Sequence, residues 1–530
     1  MKRLLAPLLA TILIFTVPPA HAALDKEGAV RVKQIFTRYL EQRQTASRLA
    51  GQDLKMEGDI MVEPGDNYYA VTMPHISVHN PDGSYTDIGI LAINAMPGGK
   101  QGEWRMTIAI PTPVIGYDAQ KKIQSRIDIG AQTLAGVWNE QASHFTKLDA
   151  RYENVTIQRI QDGMTIKIPK TSVIFDLTPA ADGKMWSGPA KYRLENLEIT
   201  RSGDPGISRI GRLDIDAFLH DYSPESAKTY QEKLAALAES AGDGPVSEKH
   251  VMGMYNMVFD SFSSIWDGFD SSIIASDIAL ARPAVSGNPE STFKIAKAGL
   301  ALNAKGFRSN TVGLTSKVFY EGFSLTPAPQ ALVDATPTHF NLDLSLSKVP
   351  FRDLVALGKT SLQSSGVSEK TPAETAALMT MALQIMTNAG TSLDIRDTTL
   401  GNTFYNAMLN GKILADLNAA MKAAGKVTLN ITGLDQIMAM TKKQSGDKTL
   451  DEATRKKLQD LVVSMTILQA MGQKAKDATG KEIRTYDLEL TKEGQLTLNG
   501  TDLSAIQAMI GAAKGKSSPP APTQPVAPKP

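Results

Sequence analysis

The chain has 530 residues, 42% hydrophobic and 21% charged, with 56 Lys and Arg against 55 Asp and Glu, and no cysteine. So even a balance leaves no cationic footprint for nucleic acid. The missing thiols exclude disulfides, thiolate metal sites and a cysteine nucleophile, so the fold must rest on its packed core.

The N-terminus reads as a targeting signal: Lys2 and Arg3, an apolar run from Leu4 to Val17, then Ala20-His21-Ala22 in the small-x-small form of a cleavage site. Residues 1–22 are therefore expected to be a signal peptide, with the mature chain starting at Ala23. Without Lys2 and Arg3 the balance is 54 basic to 55 acidic residues, a formal charge of −1. No other apolar stretch reaches the roughly 20 residues of a membrane-spanning helix. The expectation is a soluble protein of a Gram-negative periplasm.

A basic amphipathic helix opens the mature chain, with Val32, Ile35, Phe36, Tyr39 and Leu40 on one stripe and Arg31, Lys33, Arg38 and Arg43 off it. It is expected to dock on the first sheet, although its charge also suits an anionic membrane surface. From Gly51 the apolar period changes to two. Turn signals such as Pro81-Asp82-Gly83, Asp162-Gly163 and Gly203-Asp204-Pro205-Gly206 then punctuate an antiparallel meander to about residue 220. Ser223-Pro224-Glu225 starts a helix, and Val251, Tyr255, Val258, Phe262 and Ile265 mark a second. Strands resume near Ile273 and form another meander to Leu346. Capping boxes are expected at Thr371 with Glu374 and at Thr449 with Glu452.

Three segments align without a gap: 344–357, 427–440 and 496–509. Each carries two apolar residues at strand spacing followed by three at helical spacing: Leu344, Leu346, Phe351, Leu354, Leu357; Val427, Leu429, Leu434, Ile437, Met440; Leu496, Leu498, Leu503, Ile506, Met509. The unit predicts a strand turning into a short helix, with Thr432 and Thr501 as N-caps. A weaker likeness between the two meanders predicts one sheet in each half. The expected fold class is α+β, with extended antiparallel sheets, helices packed on one face and repeated strand-turn-helix units. The expected organisation is 1–22 signal, 23–245 helix plus meander, 246–370 a second helix plus meander, 371–513 an α+β region, and 514–530 a disordered Pro-rich tail.

The segment GKVTLNITGLDQIM, the helix around KKLQDLVVSMTILQAMGQ, and TYDLELTKEGQLTLNGTDLSAIQAMI with its Pro/Ala-rich tail resemble the YdgA-like family of Gram-negative envelope proteins. The resemblance covers the last 105 or so residues and is looser over GRLDIDAFLHDYSPESAKTYQEKLAAL. It implies an exported β-rich protein without assigned activity, and it supplies no catalytic residues.

Three groups of residues invite a chemical reading. Asp214, Asp216 and His220 share one face of a strand whose other face carries Leu213, Ile215, Ala217 and Leu219. Carboxylates about 7 Å apart on a strand are too far apart to hold one metal alone, but they suit acid/base work. The same pattern describes a solvated strand face. His75 and His79 have i, i+4 spacing, yet in a strand their rings sit about 13 Å apart and cannot share a metal. The methionines Met252, Met254 and Met257, Met379, Met381 and Met386, and Met438 with Met440 suit either core packing or an adaptable apolar groove. No G-x-S-x-G, GxGxxG, Walker or HExxH motif is present. The expected role is non-catalytic: no cofactor, no metal, no nucleic acid, and an apolar or amphiphilic ligand or another envelope protein as partner. The alternatives are a periplasmic hydrolase built around Asp214 and a scaffold tethered by its Pro-rich tail.

Overall fold

The computed structural model describes residues 24–503 except 141, 143, 242–247, 285–288, 329, 366–370, 449 and 478–479. The signal segment, the Pro-rich tail, Thr449, Ile506 and Met509 lie outside the described residues. Helix α1 is Lys26–Leu49. The first strands are β1 Asp53–Glu57, β2 Met61–Pro64, β3 Tyr69–His79, β4 Tyr85–Pro97, β5 Glu103–Ala109, β6 Val114–Tyr117 and β7 Ile123–Asp128. They continue as β8 Ala131–Asn139, β9 His144–Arg159, β10 Met164–Asp176, β11 Thr178–Pro179, β12 Trp186–Arg201 and β13 Asp204–Tyr222. Helices α2 Pro224–Ala241 and α3 Glu248–Ile265 interrupt them. Next come β14 Gly268–Arg282, β15 Ser291–Lys305, β16 Val312–Glu321, β17 Ser324–Thr326, α4 Gln330–Ala335, β18 His339–Val349, α5 Phe351–Ser365 and α6 Pro372–Ala389. The C-terminal part holds β19 Ser392–Gly401, β20 Asn406–Ala415, β21 Ala423–Thr432, α7 Leu434–Ser445, α8 Glu452–Met471, β22 Gln473–Lys476, β23 Glu482–Leu490, β24 Leu496–Leu498 and β25 Thr501–Asp502.

All of these strands join one antiparallel sheet, where the sequence suggested one sheet in each half. The joint is β13 with β14, paired from Ile207 opposite Ala281 to His220 opposite Gly268. Helices α2 and α3 leave and re-enter at one point, because Ser223 N donates to Ile265 O (2.6 Å) and Asp267 N to His220 O (3.0 Å). A helical insertion thus replaces a hairpin turn without breaking the ladder.

Helix α1 covers the first strands. Asp25 caps it, its carboxylate accepting from Gly28 N at 2.7 Å. Val32, Ile35 and Phe36 are fully buried and Leu40 nearly so, packed with Val71, Ile93, Trp104, Trp138 and Leu148. At the other end α7 and α8 bury Leu434, Ile437 and Met465 against Ile431, Tyr486 and Leu498. The junction from β21 into α7 differs from expectation: Thr432 donates to Asn406 O, and the N-cap position is Gly433 at φ 73° with no side-chain cap. A Cβ there would stand 1.9 Å from Phe404 O, so close backbone approach, rather than hydroxyl capping, decides the residue. Thr501 belongs to β25, paired with Leu498, and the helix it is expected to cap lies outside the described residues. Asp451 caps α8, accepting from Thr454 N, and Thr371 with Glu374 forms the expected capping box of α6.

One feature crosses the sheet sideways. In β9, β12 and β14 a non-glycine residue takes positive φ, Asn154 (53°), Asn196 (56°) and Asp277 (53°), and Gly322, just after β16, has φ 67°. Register sets Asn154 against Pro169 of β10, Asn196 against Pro169 and Gly211, and Asp277 against Gly211 and Ala296. The ladder pairs on both sides of this line keep the same register, while the pairs on the line itself are missing. Each strand also skips one beat of apolar alternation there: Tyr152 to Val155, Ile168 to Thr171, Leu194 to Leu197, Ile210 to Leu213, Ala275 to Ile278, Ile295 to Ala298. An isolated slip would turn half a strand inside out. Made in consecutive strands at one line, it keeps one face apolar throughout. Small partners are required along the line; a Cβ on Gly211 would lie 2.7 Å from that of Asp277.

Candidate apolar binding face

The two faces of the sheet differ in chemistry. On one, charges alternate from strand to strand: Glu153, Lys170, Glu195 and Arg212 stand opposite one another in turn, and Lys191 opposes Asp216, Lys317 opposes Asp343, and Lys297 opposes Glu321. Such cross-strand pairs stabilise a wet face modestly. The opposite face carries rungs of apolar side chains in direct register, with Ser271 and Ser316 in the rung between the two that follow. One rung runs Val173, Tyr192, Ile215, Ile273, Leu300, Val318, Leu342. Another runs Leu314, Leu346, Leu393, Ile413.

Cover for this face is uneven. Beneath α1 its residues are buried, Val71 and Ile93 among them. Along β14–β20 the described apolar positions of these rungs are half-buried or exposed, including Ile273 (41% exposed), Val318 (38%) and Leu314 (38%). The buried exceptions, Ala304 and Val312, lie at strand ends, where they pack with Phe307, Trp266 and Phe351. A sheet face of this length, aliphatic and open, is unusual for a surface that meets only water.

The residues singled out as a possible acid/base site sit on the charged face in separate pairs. Asp214 accepts from Arg193 Nε at 2.8 Å and from Arg212 Nε at 2.5 Å. Burial pushes its carboxyl up, but the two guanidinium groups outweigh that and hold it below the usual range. His220 Nε2 lies 2.8 Å from Asp270 Oδ2, which also faces Lys305 Nζ at 3.6 Å. Asp216 stands opposite Lys191 and Ser272. The structure therefore places Asp214 and His220 against different partners instead of converging them. His75 faces Asp87 (3.0 Å), whereas His79 contacts Ser77 (3.0 Å) and stacks on Tyr85.

The methionines divide. Met257 is buried and Met438 packs on the α7–α8 core, but Met254 is 41% exposed, Met379 64% and Met381 53%. Helix α6 has no buried residue at all and a single charged one, Glu374. Core packing therefore does not account for Met379 and Met381. Tyr255 and Val258 of α3 are also exposed. On the charged face a cleft of about 500 Å³ is lined by Lys297, Lys317, Phe319, Glu321, His339 and Asn341, with both ammonium groups over the Phe319 ring at 5.6 and 5.8 Å. Comparison with protein-family models, curated proteins and solved structures gave no match to this chain.

Proposed function

We propose that this chain is a non-catalytic periplasmic protein that binds an amphiphile by its alkyl part, on the aliphatic face between β13 and β20. The observation that carries this reading is the rung through Ile215, Ile273, Leu300, Val318 and Leu342. Aliphatic side chains stand in register on five strands, with Ile273 and Val318 open to solvent. Covering such a surface gains about 25 cal/mol per Å² of apolar area removed from water. Aliphatic rather than Tyr, Trp and Arg content favours methylene chains over a protein hot spot. Export through the segment ending at Ala22 and kinship with the YdgA-like envelope proteins belong to the same proposal. No helix among the described residues is long and apolar enough to cross a membrane.

A fluorescent fatty acid titrated into the purified mature protein tests the reading. Saturable binding is expected, displaced by unlabelled hexadecanoate and weakened at least tenfold by Ile273→Asp with Val318→Asp. Asp216→Ala on the charged face should leave it unchanged. Equal binding by all three proteins, or none by the wild type, defeats the proposal.

A further inference from the structure

The cleft on the charged face crosses β15, β16, β18 and β19, and its two sides differ in chemistry. Its floor is the rung Phe319, Asn341, Thr399, each residue directly opposite the next. The Phe319 ring lies across Gly299 of the neighbouring strand, where a Cβ would stand 2.7 Å from a ring carbon. Lys297 and Lys317 come to this ring from the rungs on either side, their ammonium groups 5.6 and 5.8 Å from its centre. Glu321 and Asp343 are their partners in register, yet among the described residues neither ammonium has a carboxylate within ion-pair distance. One ring thus holds two like charges, whose repulsion an anion between them would relieve.

The remaining groups accept hydrogen bonds. Asn341 Nδ2 donates to Asp397 O at 2.7 Å, and the side-chain oxygen of Asn341 is buried without a partner. His339 Nε2 donates to Asn406 Oδ1 at 2.9 Å, so the neutral ring keeps Nδ1 as an acceptor. Glu321 stands opposite His339 and adds a carboxylate. An orphaned buried acceptor is costly, and a ligand hydroxyl removes that cost. The cleft holds about 500 Å³, within the roughly 300 to 1,000 Å³ of small-molecule sites. A carboxylate ligand brings one charge to two ammonium groups. A phosphate monoester brings about 1.5 to 2 negative charges at neutral pH, with three acceptor oxygens.

We infer that this cleft binds a small hydroxylated phosphate monoester, with the phosphate at Lys297 and Lys317 and the hydroxyl groups at Asn341, His339 and Glu321. Phe319 is a positioning residue that brings the two ammonium groups together. The cleft opens among the cross-strand charges, away from the aliphatic rungs that an acyl tail would seek. Its ligand is therefore soluble, and the site stands or falls separately from the alkyl-binding reading.

Calorimetric titration of the purified protein with glycerol 3-phosphate, methyl phosphate and acetate tests the site. Glycerol 3-phosphate should bind saturably and at least fivefold more tightly than methyl phosphate, and acetate should not displace it. Lys297→Gln and Lys317→Gln should each weaken binding at least fivefold with an unchanged circular dichroism spectrum. Lys191→Gln, an exposed lysine of the same face opposite Asp216, should bind as wild type does. Phe319→Leu should bind severalfold more weakly, and Phe319→Tyr, which keeps the ring, should restore wild-type affinity. No binding, binding indifferent to both lysines, equal weakening by Lys191→Gln, or displacement by acetate overturns the site. Equal affinity for methyl phosphate overturns the hydroxyl-accepting side, and wild-type affinity in Phe319→Leu overturns the role of the ring. Binding of phosphatidate vesicles without any response to glycerol 3-phosphate overturns the soluble ligand.

Discussion

The aligned line across the strands makes a quantitative demand on Asn196. Its φ of 56° lies in the left-handed region, its side chain is exposed, and Pro169 and Gly211 flank it. An L-residue pays about 1 to 2 kcal/mol there, Asn less than most because its short amide bonds locally, a β-branched residue most. Asn196→Val should therefore destabilise by about 1 to 2 kcal/mol, with no burial to offset it. Asn196→Gly should lie within about 0.5 kcal/mol of wild type, since relief of the left-handed penalty and the greater freedom of the unfolded glycine oppose each other. The control is Gln158→Val, on an exposed position of β9 paired regularly with Thr165 and Arg126, where valine suits the strand. Urea unfolding followed by circular dichroism measures all three. Equal stability of valine at 196 and at 158 would show that Asn196 has no left-handed constraint, and the aligned line would lose its basis.

Other consequences are open to the same instruments. Ile437→Ala should cost about 2 to 5 kcal/mol, because Ile437 is 6% exposed in the α7–α8 core, whereas exposed Gln436→Ala should change little. Gly433→Ala should destabilise by more than the few tenths usual at a cap, because its Cβ meets Phe404 O. Burial holds the His144 imidazole below its ordinary value; the unfolded chain takes up that proton first, so stability should fall as pH drops through about 6.5. His144→Gln should flatten that part of the urea-midpoint profile. The Asp162 carboxyl is pulled to about 2, chiefly by the hydrogen bond from Arg159. Its contribution should therefore persist to about pH 4 and vanish between there and about 2, and Asp162→Asn should remove that acid limb.

Local chemistry was the legible part of this fold. The stripe Val32, Ile35, Phe36, Leu40 has helical spacing and is buried as such, and the Thr371 box and the Ser223-Pro224 start lie where the residues indicated. What escaped was non-local. The alternation Leu213, Ile215, Ala217 is regular only up to Gly211, and its change of phase means nothing until five neighbouring strands are seen to change at the same line. Asn154, Asn196 and Asp277 read as turn residues by composition, yet they sit inside strands. Helices α2 and α3 suggested a boundary between sheets because the hydrogen bonds that close them, Ser223 to Ile265 and Asp267 to His220, join residues more than forty apart. The aliphatic face was visible as period-two patterning. Whether another layer covers it depends on packing and not on any strand's own sequence, which is why exposed Met379 suited core packing as well as a groove.

The central claim is that the aliphatic face holds an amphiphile. Native mass spectrometry of the protein recovered without detergent from cells expressing the full chain tests it most directly. Wild type should carry a bound amphiphile that dissociates on collisional activation, and Ile273→Asp with Val318→Asp should arrive empty at an otherwise unchanged charge-state distribution. Wild-type protein that is itself empty and gains no adduct on incubation with hexadecanoate would contradict the account.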